Sequence, residues 1–174
     1  MIDKTSSRLG ATLHRAEKMF GPRDATYTIL GIEFSAGTPQ LWFPGHRRQI
    51  VIQLTTECLS DLVRACYQLA HECIHLLSPT GGRKAPVPEE GLATFFSELY
   101  LREVFAKSVK PGLPSYADAC GKVRQLLAID PAIIRNVRAK QSMFHLITVA
   151  DILGMRPDVP RELAERLTAR FVRE

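Results

Sequence analysis

Two histidines four residues apart, with a glutamate beside the first, constrain this chain more than any other feature: His71-Glu72-Cys73-Ile74-His75. On an α-helix, residues i and i+4 lie one above the other with Cβ atoms about 6 Å apart, so the two imidazoles can meet at one point. The surrounding residues ask for a helix. Leu62, Cys66, Leu69, Cys73, Ile74 and Leu77 recur at helical spacing as an apolar stripe, while Tyr67, His71 and His75 form a second line at intervals of four. A helix buried along one stripe and presenting two histidines along another suits the wall of a cleft. Its start is expected between Thr56 and Ser60, where Thr or Ser can cap it, and its end at Leu77 before Ser78-Pro79.

The rest of the fold must be built around that helix. Residues 6–20 read as an amphipathic helix closed by Gly21-Pro22. Three β-like stretches follow at residues 26–34, 40–43 and 49–54, separated by turns at Gly37-Thr38-Pro39 and Pro44-Gly45-His46. After a loop over residues 80–87, Pro88-Glu89-Glu90 has the proline and carboxylates favoured at a helix start. Leu92, Phe95, Phe96 and Leu99 mark the buried face of that helix, which ends before Pro111-Gly112. From Tyr116 onward the chain reads as three or four short helices, broken at Asp130-Pro131, Gly154 and Asp158-Val159-Pro160. With 174 residues, 45% of them hydrophobic, one domain has enough apolar material for a core. The expected class is α+β: a small, mainly antiparallel amino-terminal sheet, the central histidine helix, and a helical carboxy-terminal lobe beyond residue 78.

Two imidazoles at this spacing can share one Zn²⁺ at bond lengths of about 2.0–2.1 Å. Glu72 cannot comfortably ligate the same ion, but it reaches a water bound to it. Catalytic zinc sites usually have three protein ligands, so a third is expected downstream. The metzincin pattern requires glycine and histidine where this chain has Ser78 and Gly81, which excludes it. Glu57-Cys58-Leu59-Ser60 faintly echoes a deformylase ligand segment, but it lacks the glycine and lies only thirteen residues before His71. A carboxylate on the following helix is the remaining solution. Glu90 lies fifteen residues after His75 with Glu89 beside it, and a helical wheel places Glu89 nearer the Phe96 and Tyr100 side, so spacing leaves both open.

Glu90-Gly91-Leu92-Ala93-Thr94-Phe95-Phe96 resembles the N-E-G-F-A-S-F segment of zinc aminopeptidases and related gluzincins, and the likeness extends over residues 49–99. It implies that Glu90 is the third ligand, with His71 and His75. It also implies a zinc metallopeptidase acting on a peptide or protein, with Glu72 as general base and then acid. The spacer before the third ligand is shorter than in aminopeptidases and no amine-anchoring motif is visible, which points away from exopeptidase specificity. Thr94, one turn after Glu90, stands where gluzincins often place a group that orients a histidine; a bond to its own helix backbone is the equal alternative. Tyr100, Tyr116 and His145 are candidates to stabilise the oxyanion. The strand at residues 49–54 either offers an edge to an extended substrate or lies inside the sheet. The alternative function is a non-catalytic regulatory or protein-interaction domain that retains a zinc site.

Net charge is +5, but the 23 basic residues are scattered with no run longer than Arg47-Arg48 or Arg83-Lys84, so nucleic acid is not an expected partner. No apolar run approaches the ~18 residues of a membrane span. Residues 1–8 lack the apolar core of a signal peptide. The four cysteines show no C-x-x-C pairing and read as buried free thiols, so a cytoplasmic location is expected.

Overall fold

The computed structural model of the chain describes residues 2–45, 48–80 and 85–174. His46 of the second expected turn, Arg47, and residues 81–84 of the expected loop lie outside that set. An amino-terminal helix, α1 (Ile2–Phe20), is followed by strands β1 (Thr28–Ser35), β2 (Gln40–Trp42) and β3 (Gln49–Thr55). The histidine helix α2 (Leu62–His75) and the long helix α3 (Val87–Phe105) come next. Four helices complete the chain: α4 (Pro114–Ile129), α5 (Ile133–Lys140), α6 (Val149–Met155) and α7 (Arg161–Thr168). The class is α+β. Among the described residues, no helix is long and apolar enough to cross a membrane.

The sheet is mixed, in the order β1-β3-β2, which corrects the expectation of a mainly antiparallel one. β1 pairs in parallel with β3 from Thr28↔Gln49 to Ser35↔Thr55, and only the short β2 runs antiparallel. Ile50, Ile52 and Leu54 of β3 are buried while the residues between them are not. That alternation anchors the central strand on the core. β2, with Gln40 and Trp42 exposed, suits an edge. The strand at residues 49–54 is therefore interior, and the edge beside α2 belongs to β2.

α2 begins one turn later than expected. Residues 56–59 form a short 3₁₀ turn, and Asp61, rather than Thr56 or Ser60, caps the helix by accepting from the Arg64 N–H at 3.0 Å. Gln68 ties this junction together. Its Oε1 accepts from the Thr55 N–H at 2.9 Å and the Cys58 thiol at 3.1 Å, while its Nε2 donates to Thr55 Oγ1 at 3.0 Å. The apolar stripe of α2 is buried at Cys66, Leu69, Cys73 and Ile74. All four cysteines are buried and free. Gly154 lies within α6, which continues to Met155 and stops at Arg156 instead.

α3 passes between α2 and α4 and is buried around most of its circumference, at Leu92, Ala93, Phe96, Ser97 and Leu101 among others. Phe20 of α1 meets Phe96 edge to face at 5.9 Å, joining the first helix to this centre. Close approach of α3 and α4 depends on Gly91. A Cβ built there would stand 2.4 Å from the Ala119 carbonyl oxygen and 2.9 Å from Val123 Cγ2. Backbone cannot yield as a flexible side chain does, so Gly91→Ala is expected to cost about 1–3 kcal/mol. Chemical denaturation measures it; a neutral result would mean that α4 stands off farther than described.

Candidate metal centre

The end of α2 and the start of α3 bring five titratable side chains together. His71 and His75 have ring centroids 5.0 Å apart. Glu90 Oε2 lies 3.2 Å from His71 Nε2 and 3.8 Å from His75 Nε2. One ligand atom from each of the three lies within 4.8 Å of the others. Donor atoms about 2.0–2.1 Å from a tetrahedral ion stand roughly 3.3 Å apart, so these separations suit one shared ion. Glu90 Oε2 is buried yet makes no hydrogen bond, although His71 Nε2 is close. Buried oxygens on Glu72 and Glu89 are equally without a hydrogen-bond partner. Three carboxylates facing two imidazoles leave negative charge in surplus, and this donor set fits a divalent cation.

The adjacent glutamates divide the work. Glu89, 2% exposed, places Oε1 at 2.7 Å from His75 Nδ1, on the side of the ring away from the cluster. A carboxylate there holds the ring with Nε2 turned toward Glu90 and keeps it from rotating. Burial works against a charged His75, but the Glu89 hydrogen bond and the charges of Glu90, Glu89 and Glu72 outweigh it and push the pKa up to about 10. Burial raises Glu90, while His71, His75 and Arg173 more than offset it and hold the carboxyl below its ordinary range. Thr94 takes no part in orienting a histidine; its hydroxyl donates to the Glu90 carbonyl at 2.9 Å. Glu89→Ala is expected to weaken zinc binding about 10–100-fold with His71, His75 and Glu90 intact. Competition against a chelator reads this, and unchanged affinity would remove Glu89 from the centre.

Glu72 lies beneath the cluster, 2% exposed. Burial raises its pKa, and the neighbouring charges of Glu90 and Glu89 act in the same direction while the histidines oppose. Cys73 points into the core, and burial pushes its thiol far up. A cavity of about 780 Å³ opens over His71, Glu72, His75 and Glu90. A second, of about 680 Å³, adjoins it, and the two share Pro39, His71, Glu72, Tyr116 and Arg173. The two meet at His71 and Glu72, whereas His75 and Glu90 line the first cavity alone.

The chain matches no family model, no curated protein and no solved structure among those compared. The geometry must carry the functional reading.

Of the three oxyanion candidates, only Tyr116 reaches the cleft. It lines both cavities, with its ring 6.0 Å from that of His71. Tyr100 is buried on the far part of α3 against Phe96, and His145 sits in the short turn at Phe144–Leu146; neither lines these cavities. Tyr100 is buried within α3 and His145 is half-buried beside the exposed Leu146, so the structure brings neither to the cluster. Spacing did not single out the segment after α7. The Val87 N–H donates to the Ala169 carbonyl at 3.2 Å, and Pro86 bridges Arg170. Ser115 Oγ donates to the Glu174 carbonyl at 2.9 Å. Between these ties Phe171 packs on Tyr116 at 5.0 Å, and the Arg173 guanidinium lies 5.9 Å over the same ring.

Proposed function

We propose that the chain is a zinc-dependent peptidase of the gluzincin type, with His71, His75 and Glu90 as ligands and Glu72 as general base and acid. The observation that carries this reading is the convergence of His71 Nε2, His75 Nε2 and Glu90 Oε2 on the wall of the first cavity, with Glu72 buried beside them. When bound, Zn²⁺ supplies Lewis acidity, lowering the pKa of a bound water towards about 7 and polarising a carbonyl. Glu72 takes the proton of the attacking water and delivers it to the departing amine. Tyr116 presents its hydroxyl to the oxygen that gains negative charge. Gln40 and Leu41 of the edge strand β2 border the same cavity, where a substrate in extended form can lie alongside the backbone. A cavity of this size beside the cluster supports catalysis over an idle metal site.

The test is reconstitution. Purified protein is stripped with a chelator, reloaded with zinc, and incubated with a peptide library derived from a digested proteome. The expected result is one equivalent of tightly bound zinc by elemental analysis and hydrolysis that appears only with it. Stoichiometric zinc without cleavage, or no zinc retained, would sink this reading.

A further inference from the structure

The two cavities differ in how their charged groups are arranged. The one that holds Glu57, Asp61, Arg64 and Lys110 is mixed, and Asp61 and Arg64 face each other at 3.8 Å. In the other, the charged groups among the described lining residues are the three cluster carboxylates and two arginines, Arg170 and Arg173. Among the described residues neither arginine forms an ion pair with a carboxylate. Arg173 stands at the junction, close enough to Glu90 and Tyr116 to act on both electrostatically. Arg170 lies farther along, absent from the second cavity but bordering both the first and a third of about 440 Å³ that Asp118 and Glu174 also line. The other described residues of the first cavity's walls, including Leu41, Phe43 and Phe171, carry no charge to answer these cations.

The segment bearing them is held in place. Its backbone is tied to α3 at Val87 and to α4 at Ser115, and Phe171 is seated on Tyr116 between the two arginines. The cations are therefore presented along the cleft wall from a fixed backbone. Once a divalent ion occupies the cluster, two histidines, three carboxylates, two arginines and the ion sum to a net positive cavity. A guanidinium pairs bidentately with a carboxylate and repels an ammonium group.

The geometry points to Arg170 and Arg173 as specificity-determining residues that select an aspartate or glutamate on one side of the scissile bond. The substrate class is then acidic peptides. This inference rests on the peptidase reading for its reference to a cleaved bond, but the cation pair can be tested without cleavage. The selection is one-sided, because Arg170 borders the first cavity and not the second, where acidic and basic groups balance. Two arginines are too few for the counterion release that drives nucleic-acid binding, which favours a peptide over a polynucleotide.

Two experiments separate the possibilities. In the first, zinc-loaded protein cleaves the proteome-derived library, and residues flanking each cut are identified by mass spectrometry. Aspartate and glutamate are expected to be enriched on one side only, by roughly threefold to fivefold per arginine, the upper range for exposed ion pairs. Arg170→Gln with Arg173→Gln removes the enrichment, and Arg170→Glu with Arg173→Glu turns it toward lysine and arginine. A structural role for these side chains would change the rate without moving this preference. Cleavage with no acidic preference, or a preference that survives the double substitution, overturns the inference and leaves the peptidase reading standing.

In the second, zinc-loaded Glu72→Gln protein is immobilised and the same library is passed over it. Retention of acidic peptides that depends on the two arginines and weakens with salt upholds the cation pair even if the first experiment shows no hydrolysis. Failure to retain them overturns it. Arginine-dependent retention of a single-stranded oligonucleotide in preference to the peptides overturns it in favour of nucleic acid.

Discussion

Zinc-loaded Glu72→Gln protein is expected to keep its metal and to lose hydrolysis by about 10²–10⁴-fold, the range that general acid–base catalysis supplies. The three converging ligand atoms belong to His71, His75 and Glu90, so the substitution leaves the donor set whole. Glutamine matches glutamate in size and fits the same buried space, but its amide does not accept a proton at neutral pH. Glu72 is also a poor structural residue. It is 2% exposed, one of its oxygens has no hydrogen-bond partner, and burial raises its pKa. Replacing a buried, poorly satisfied carboxylate by a neutral amide is not expected to lower the unfolding temperature. Initial rates on the peptide library, elemental analysis and a thermal melt together read the three outcomes. Activity within tenfold of the parent in zinc-loaded protein would take the proton-transfer role from Glu72.

The contrast between what was legible and what was not follows from the range of each interaction. The stripe Cys66, Leu69, Cys73 and Ile74 was readable because burial along α2 obeys the helix's own period. Its cap was not, since Thr56, Ser60 and Asp61 are comparable caps and the choice depends on how Gln68 binds Thr55 and Cys58. The sheet was misjudged because parallel pairing of β1 with β3 is a long-range choice, in which β2 is displaced to the edge. Glu89 and Glu90 are about 100° apart on a helix, and the wheel already turned them toward different neighbours. What it lacked was the position of His75, which lets one glutamate face Nε2 and the other Nδ1. Tyr116 was separable from Tyr100 and His145 only through packing of α4 and the final segment across the cleft.

Arg138→Met is expected to destabilise the fold by about 3–5 kcal/mol, the range for stripping one partner from a buried charged network. Arg138 is 5% exposed, and its guanidinium uses every N–H on backbone carbonyls. Nε donates to Ser142 at 3.2 Å, Nη1 to Phe20 at 2.7 Å and Gly21 at 3.0 Å, and Nη2 to Pro22 and Leu77 at 2.9 Å each. The Phe144 ring lies 4.9 Å from its centre. Burial pushes its pKa down to about 10, so the group remains a cation at neutral pH. Three chain segments meet there: the end of α1, the end of the histidine helix, and the turn after α5. Methionine fills similar volume but withdraws all five donors from these carbonyls, of which Leu77 still accepts from the Asp24 N–H at 3.2 Å. Lysine restores the charge with three donors on a compact head that cannot span five carbonyls, so Arg138→Lys should recover only part of the loss. Urea denaturation of zinc-free protein measures both. A cost below about 1 kcal/mol for methionine would mean that the carbonyls find other donors. A large cost would identify Arg138 as a residue that secures the end of α2, just beyond His75, against the first helix.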